Sequence, residues 1–314
     1  MASNEWTIGV DLGASTTKCG LISPDNVITA RVQWETHPAD GATVAADRIA
    51  ERVRQLITQV PRDAPVTRVG VCSPGPLDHA SGMIFDPPNL TGWRDVPFAA
   101  MLSERLNLPV RLEHDAKASA LGEFHFGAGR GVNDMALIIV GTGIGAAIIL
   151  NGELLRGPTN SAGEVGHITV DMNGPICTCG SNGCVETYAC GPAIMRAYSY
   201  STRRAVDSAE QVARAAEQGD LIAQRVFKDA GRALGACVAT MAMTLDISTF
   251  VMFGSVVKAG ELLLAPARAA VPKYSFNSVS QRVRILIGEL GNDAGILGAA
   301  WAAKEIEGGP RTND

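Results

Sequence analysis

The sequence contains the same pattern of strand, turn and strand twice, once at its start and once near its middle. Residues 6–23 read WTIGVDLGASTTKCGLIS, and residues 138–150 read IIVGTGIGAAIIL, so that Gly13 of the first matches Gly143 of the second. Apolar runs on either side of a glycine-containing turn predict a buried β-hairpin in each place. Two such hairpins favour a chain built from two similar halves. The alternative is that any two buried hairpins share these features.

The rest of the chain alternates between predicted strands and helices. The predicted helices are 43–59, 98–106, 116–126, 188–199, 208–218, 220–245, 259–271 and 295–306, and the further strands are 68–72, 109–113, 249–253 and 283–287. This alternation in both halves predicts an α/β fold with mixed sheets. The 314 residues are more than one compact core usually holds, which favours two domains or one doubled fold. The tail, 308–314, is predicted to be frayed.

Composition and charge exclude several classes of protein. Hydrophobic residues make up 46% of the chain and charged residues 19%, which is typical of a globular protein. The formal net charge of −5 and the lack of a basic run do not favour a nucleic-acid partner. The longest nearly apolar stretch, 135–150, is shorter than the roughly 18 to 20 residues of a membrane helix. The polar start shows no secretory signal, so we expect a cytoplasmic protein with no membrane partner.

The turn of the first hairpin is a candidate phosphate-binding loop. In DLGAST, Gly13 allows backbone amides to approach a phosphate, while Ser15, Thr16 and Lys18 offer further donors. Asp11 is placed to hold a magnesium ion through water. A plain turn that contains an aspartate is the alternative.

The glycines of the second hairpin, Gly141 and Gly143 with Thr142 between them, do not fit a dinucleotide-binding fingerprint. That fingerprint needs a helix after the glycines, so that the positive end of the helix meets the pyrophosphate. Here an apolar strand follows and ends in Asn151 and Gly152, a pair typical of a type I′ hairpin turn. The sequence therefore predicts a second phosphate-binding hairpin, and two such hairpins can clamp one nucleotide.

The most specific motif combines one histidine with three cysteines. His167, Cys177, Cys179 and Cys184 have the spacing H-x9-C-x-C-x4-C. Three thiolates and one imidazole complete a closed tetrahedral zinc site, which organises a loop and leaves no position open for catalysis. A redox pair of cysteines is the alternative. The other cysteines lie among apolar residues and are predicted to be small core side chains.

Three acidic residues lie close to these motifs. Asp115 follows a predicted strand, where ligands gather in α/β sheets, and we expect it to cap the next helix and to act as a base toward a hydroxyl. Glu164 and His167 are three positions apart, so that anchoring His167 on zinc also fixes the direction of Glu164. Glu186 completes a set that suits a polyol, because carboxylates accept hydroxyl hydrogens. Any of the three can instead be a surface carboxylate.

These motifs resemble those of the ROK (repressor, open reading frame, kinase) family of sugar kinases. The resemblance covers nearly the whole chain and rests on DLGASTTK, SPGPLDHASGMIFDPPNLTGW, LEHDAKASALGE, GTGIGAAIILNGELLRG, and AGEVGHITV with CTCGSNGCVETYACG. It implies the actin-like, hexokinase-like doubled α/β fold with ribonuclease H-like motifs, in two domains around a cleft. The first domain is then 1–116, with the C-terminal helix 295–307 packed back on it, and the larger second domain is 117–294 with the zinc loop.

The resemblance also implies the ATP-dependent phosphorylation of a hexose at its 6-hydroxyl, most simply glucose to glucose 6-phosphate. Asp115 is then the general base, and ATP with Mg²⁺ lies between the two hairpins. The implied nucleotide-binding residues are Asp11, Gly13, Ser15, Thr16, Lys18, Gly141, Thr142, Gly143 and Gly254. The implied sugar-binding residues are Gly75, Asn89, His114, Glu164, His167 and Glu186, with His167 also on the structural Zn²⁺.

Two departures from the family pattern leave alternatives open. His114 stands where the family usually has Asn, so another sugar such as N-acetylmannosamine, fructose, allose or an aminosugar is an alternative substrate. Ser255 and Val256 stand where relatives often carry glycines near the adenosine, and we expect them to narrow that approach. Polyphosphate is therefore an alternative donor.

The resemblance to the family also implies an oligomeric state and offers alternatives to a kinase. Relatives are commonly dimers or tetramers, so the resemblance implies a homodimer or homotetramer. The repressors of the family carry a helix-turn-helix before the first hairpin, whereas here that hairpin starts at Trp6, which disfavours a repressor. A sugar-binding protein without catalysis is the other alternative.

Overall fold

A computed structural model of the chain describes residues 5–62 and 64–304, which divide into two compact units. The first unit holds the described residues up to Gly127 together with those from Leu290 onward, and the second holds Ala128–Glu289. No helix in these described ranges has both the length and the apolar character needed to cross a bilayer.

The first unit contains a five-stranded sheet, a separate two-stranded sheet of Leu77–Asp78 and Met83–Ile84, and helices. Its elements are β1 Trp6–Leu12, β2 Thr16–Ile22, β3 Ile28–Glu35, α1 Gly41–Ile57, β4 Val66–Ser73, β5 Leu77–Asp78, β6 Met83–Ile84, α2 Phe98–Leu106, β7 Val110–His114, α3 Asp115–Phe126 and α10 Ala294–Ala302. The sheet order is β3-β2-β1-β4-β7, in which β1 to β3 are antiparallel neighbours, while β4 pairs parallel with β1 and β7 with β4. The predicted first hairpin is confirmed.

Strand β3 is not among the predicted elements. It is an edge strand in which exposed residues alternate with half-buried ones, with Arg31 and Gln33 on the exposed side. Because one face is open to solvent, polar residues interrupt the apolar run that marks the buried strands β1 and β4.

The close approach of α10 to the rest of the first unit depends on glycine. A Cβ at Gly298 would overlap the carbonyl of Ala118 in α3, and a Cβ at Gly70 of β4 would overlap the carbonyl of Ala299. Since α3 packs on α10 in this way, it belongs to the first unit, whereas the boundary expected at residue 116 puts it in the second. The α-helix itself ends at Ala302, and the predictions for 305–307 and for the tail 308–314 lie outside the described residues.

The second unit repeats the topology of the first. Its elements are β8 Met135–Val140, β9 Ile144–Leu150, β10 Glu153–Leu154, α4 Glu186–Ala189, α5 Gly191–Thr202, α6 Ala209–Glu217, α7 Leu221–Leu245, β11 Thr249–Phe253, α8 Glu261–Tyr274, α9 Asn277–Ser280 and β12 Arg284–Ile287. The sheet order β10-β9-β8-β11-β12, with the first three strands antiparallel and the last two parallel to β8, matches that of the first unit. Two sheets of equal order are what a doubled fold requires.

The glycine turn GTGIG lies between two antiparallel strands, as predicted. Asn151 and Gly152 both have positive φ, 53° and 78°, which fits the type I′ turn expected between β9 and β10. The helix predicted over 188–199 is divided into α4 and α5, because Pro192 stands in the first turn of a new helix.

Candidate active site

The carboxyl of Asp115 lies where β7 ends and α3 begins. Its Oδ1 accepts a hydrogen bond from the Ala116 amide at 2.6 Å and lies 3.0 Å from Nδ1 of His114. The residue at the N-cap position is His114, in extended conformation, and Asp115 is already the first residue of the helix. The prediction that Asp115 caps α3 is therefore wrong by one position, although its carboxylate does bind an amide of the first turn.

The surroundings of Asp115 favour the protonated form of its carboxyl more than water does. Desolvation by the surrounding protein raises the pKa of Asp115, and the charge of Asp11 raises it further, while His114 and the Ala116 amide act in the opposite direction. The side chain is still 45% exposed, so a substrate can reach it. A carboxyl with a raised pKa at the end of a strand is suited to accept a proton.

Two of the predicted sugar-binding residues lie together beside this carboxyl. The loop after β4 passes the end of β7, where Ser73 pairs with His114. A Cβ at Gly75 would come within 2.7 Å of His114 Cδ2 and 3.0 Å of Nε2, so the imidazole fits only because residue 75 is glycine. Asn89 is exposed in a turn of the same loop region.

The first hairpin turn is closed by its own backbone and by Thr36, a residue that no motif in the sequence marks. The Gly13 amide donates to the Thr16 carbonyl at 3.2 Å, and the Thr36 hydroxyl donates to the Gly13 carbonyl at 2.6 Å. The Thr36 amide donates to the Ser15 carbonyl, and the side chain of Ser15 is exposed. Thr36 follows β3 in the chain and reaches this turn because β3 pairs with β2.

Asp11 and Lys18 face each other across the first hairpin. Lys18 Nζ lies 3.3 Å from Asp11 Oδ2, and the Cys72 thiol lies 3.6 Å from the other carboxylate oxygen. Desolvation raises the pKa of Cys72, so its thiol is a neutral donor. A single carboxylate fits Mg²⁺ that is held mainly through water and phosphate oxygens.

The second hairpin turn is tied to Glu186 at the start of α4. The Gly141 amide donates to the Gly143 carbonyl at 2.9 Å, and Thr142 lies exposed at the tip. The Ile144 amide donates to Glu186 Oε2 at 2.8 Å, and a Cβ at Gly143 would lie equally close to that oxygen. One oxygen of Glu186 is therefore held by the hairpin.

The segment after β11 also meets the second hairpin. Gly254 has a φ of 104°, and a Cβ there would lie 2.5 Å from the Val140 carbonyl, so both backbone and space require glycine. Ser255 is exposed, with its hydroxyl 3.8 Å from where a Cβ at Gly141 would be. Val256 is buried in the core of the second unit, so Ser255 is the exposed member of the pair that we expect to narrow the approach to adenosine.

The GEVGH segment lies against β9 because it contains two glycines. Gly163 has a φ of 109°, and its carbonyl accepts from the Ala146 amide at 2.9 Å. A Cβ at Gly166 would overlap the Ile144 carbonyl. This contact holds the short 3₁₀ turn Val165–His167 against β9.

Glu164 and His167 occupy the two ends of this turn. The His167 amide donates to the Glu164 carbonyl at 3.2 Å, and the Glu164 side chain is exposed. Ile144, whose carbonyl lies against Gly166, also donates its amide to Glu186. The structure therefore gathers Glu164, His167 and Glu186 around the start of β9.

The four predicted metal ligands form one cluster. One donor atom from each of His167, Cys177, Cys179 and Cys184 lies within 4.8 Å of the others. Nδ1 of His167 is 3.6 Å from Cys177 Sγ, and the sulfurs of Cys179 and Cys184 are 3.7 Å apart. Three sulfurs and one imidazole nitrogen are the donors that zinc prefers, so the residues fit the ion.

A backbone hydrogen bond in the loop favours the thiolate form of one cysteine, which is the form that binds a metal. A hydrogen bond from the Cys179 amide is the main cause that lowers the pKa of Cys177 to about 7, whereas burial raises that of Cys184 to about 12. Because a metal binds thiolates, uptake of the ion releases protons from this cluster.

The chain belongs to the ROK family. The family's model matches residues 7–306. The chain is 35% identical to the glucokinase of Thermotoga maritima, over 96% of this chain and 98% of the relative, and 34% identical to that of Halalkalibacterium halodurans, over 97% of each. An N-acetylmannosamine kinase of Escherichia coli is 32% identical over 95% of this chain and 98% of the relative.

Solved structures support the same fold. The ROK hexokinase of Thermus thermophilus superposes with a TM-score of 0.83 at 32% identity, covering 95% of this chain and 98% of that one. A ROK family glucokinase of Streptomyces griseus, solved with glucose and AMPPNP, gives a TM-score of 0.74 at 32% identity, covering 96% and 99%. The doubled actin-like α/β fold predicted from the sequence is confirmed.

Proposed function

We propose that this protein is an ATP-dependent hexose kinase that phosphorylates the 6-hydroxyl of its sugar, with glucose as the simplest substrate. The observation that carries the proposal is the Asp115 carboxyl, which is reachable at a strand end, has a raised pKa and uses Oδ1 for its contacts with the protein. Its Oδ2 remains to accept a proton. Glucokinase relatives that match over nearly the full length support the same conclusion.

The reaction needs one proton acceptor and a means of alignment. Asp115 takes the proton of the sugar hydroxyl as that oxygen forms its bond to the γ-phosphorus, and the bond from the γ-phosphorus to the bridging oxygen breaks, releasing ADP. The magnesium nucleotide supplies the phosphoryl group and neutralises charge. In this chain the proposed nucleotide-binding residues are Asp11, Gly13, Ser15, Thr16, Lys18, Gly141, Thr142, Gly143 and Gly254.

The sugar is held by residues that still have free hydrogen-bonding atoms. Glu186 keeps Oε1 for a hydroxyl, because Oε2 is bound to the Ile144 amide. His167 turns Nδ1 toward the thiols, which leaves Nε2 for the sugar. The exposed Glu164 carboxylate completes this group. Gly75, Asn89 and His114 are the other proposed sugar-binding residues.

We also propose that zinc at His167, Cys177, Cys179 and Cys184 holds this group in place. A closed Cys₃His site is structural, so the ion stiffens the loop between the turn that carries Glu164 and the helix that starts with Glu186. Catalysis in the cytoplasm, where ATP is plentiful, fits these thiols, because they stay reduced there.

The test is a coupled assay of ADP release over glucose, mannose, fructose, allose, N-acetylmannosamine and glucosamine with ATP, and of sugar phosphate formation with polyphosphate. We expect turnover with ATP, and the highest kcat/KM with glucose. A preference for N-acetylmannosamine supports the second candidate, which the 32% identical relative favours. Sugar binding without phosphorylation by either donor contradicts the kinase.

We further propose that the chain forms a homodimer, or a tetramer of two dimers, through its second unit. A groove there is lined by Tyr200, Ile222 and Tyr274, of which Tyr200 is 75% exposed. Arg225 and Asp229 bring opposite charges to the same groove, so a second copy related by a twofold axis meets complementary groups. Light scattering should give at least twice the 32.9 kDa chain mass, and Y200S with I222S should lower it. A wild-type mass of one chain contradicts the dimer.

A further inference from the structure

Cys72 lies beside Asp11 in the sheet of the first unit, although its apolar neighbours in the sequence predict an ordinary core side chain. Asp11 of β1 and Cys72 of β4 are partners in the parallel register of the two strands. The Cys72 sulfur lies 3.6 Å from Asp11 Oδ1 and equally far from the Gly295 carbonyl oxygen. Because Cys72 is fully buried, these two oxygens take the place of water around its thiol.

The thiol donates its hydrogen in this contact. A carbonyl oxygen and an ionised carboxylate are acceptors only, so the hydrogen must come from the thiol. Burial is the main cause that raises the pKa of Cys72, and the negative charges of Asp11 and Asp115 raise it further. The thiol therefore keeps its hydrogen at neutral pH, and the ionised oxygen of Asp11 is the stronger of its two acceptors.

The Asp11 carboxylate is held at both of its oxygens. Lys18 Nζ lies 3.3 Å from Oδ2, and the Cys72 thiol donates to Oδ1. A Cβ at Gly295 would lie 3.2 Å from Asp11 Cγ and 3.4 Å from the Cys72 sulfur, so a larger residue there would press on both groups. The two donors together fix the plane of the carboxylate, and each oxygen can still accept a further hydrogen.

We propose that Cys72 is a positioning residue of this kinase and that its thiol orients Asp11 toward the magnesium nucleotide. The bond from the thiol to Oδ1 keeps the carboxylate from rotating, so that Oδ1 presents its free lone pair to a water molecule on the ion. The inference rests on the proposed kinase function. It assigns to Cys72 a role that packing in the core does not require.

The variants C72A and C19A separate positioning from packing, because each removes one buried sulfur from the same sheet. Cys19 of β2 pairs with Val10, one position from Asp11, and therefore lies on the opposite face of the sheet. Desolvation alone raises the pKa of Cys19, so no charged group acts on its thiol. Both variants should lower the melting temperature to a similar extent, since each leaves a small cavity.

Only C72A should weaken the use of the nucleotide. We expect its KM for MgATP to rise about 3- to 10-fold, as for the loss of one hydrogen bond, with KM for the hexose near the wild-type value. C19A should keep both constants. Equal KM values for MgATP in C72A and C19A would overturn the inference.

C72S tests whether the donor matters rather than the volume of the side chain. A serine hydroxyl restores a hydrogen-bond donor at this position, so KM for MgATP should lie closer to the wild-type value than to that of C72A. A KM in C72S equal to that in C72A would assign the effect to lost packing and reject the positioning role.

The thiol can also be observed without any turnover, by infrared spectroscopy of its S–H stretch. The difference between wild type and C72A isolates the band of Cys72. We expect this band to move when Mg²⁺ and AMPPNP bind, because the charge of the ion weakens Oδ1 as an acceptor. A band that does not respond overturns the inference even if the kinase is active. A band that moves in a protein that phosphorylates no hexose overturns the proposed function and leaves the contact intact, so the two failures are distinguishable.

Discussion

Asp115→Asn lowers kcat about 10²- to 10⁴-fold and leaves hexose binding near the wild-type value, if this residue is the general base. The amide oxygen of asparagine can still accept the bond that the Ala116 amide donates to Oδ1, so the start of α3 keeps its geometry. A neutral amide cannot accept the proton of the sugar hydroxyl. Coupled ADP release measures the turnover, and calorimetry measures the binding of the sugar.

Asp25→Asn is the matched control, because Asp25 is exposed in the turn between β2 and β3. It should leave turnover and melting temperature unchanged. Because the pKa of Asp115 is raised, wild-type turnover should fall with decreasing pH at a higher pH than for an ordinary aspartate. Unchanged kcat in the Asp115 variant would reject the assignment of the base.

Cys179→Ser is expected to lose most of the bound zinc and to raise KM for the hexose about tenfold or more. One serine in place of a thiolate leaves three of the four ligands that surround the site, and the loss of a ligand weakens metal binding strongly. The turn that carries Glu164 then loses its anchor at His167. Metal analysis of the purified protein and initial rates against sugar concentration test both parts.

Cys237→Ser provides the control within the same unit. Cys237 is buried in α7 and is not one of the four clustered residues, and its thiol lies 3.8 Å from the Val165 carbonyl, to which a serine hydroxyl can also donate. This variant should keep its zinc. One full equivalent of zinc in Cys179→Ser would contradict the ligand set.

The elements that the sequence predicts correctly are those whose structure depends on neighbouring residues in the chain. The two hairpins are predicted by the apolar runs of β1 and β8 and by the turn residues Asn151 and Gly152. Both the spacing of apolar residues and the preferences of turn residues act over a few positions of the chain. The edge strand β3 is missed, since half of its residues face solvent. The position of α3 depends on a contact with Gly298, far along the chain, which no local pattern reveals.

The candidate active site likewise has features that the sequence predicts and features that only long-range contacts create. The spacing of histidine and cysteines predicts the metal cluster, because four ligands of one kind of ion rarely occur together by chance. The contact of Gly75 with His114 joins residues from separate loops and becomes visible only in three dimensions. The bond from the Ile144 amide to Glu186 is of the same kind, although the carboxylate itself was predicted to matter.

The proposed function requires that Asp115 and the group held by the metal cluster, Glu164 and His167, act on the same hexose. Hydrogen–deuterium exchange with and without saturating glucose measures this without any turnover. We expect slower exchange in glucose both in the segment around Asp115 and in the segment 163–168. Protection of only one of these segments, in a protein that binds glucose, would contradict it.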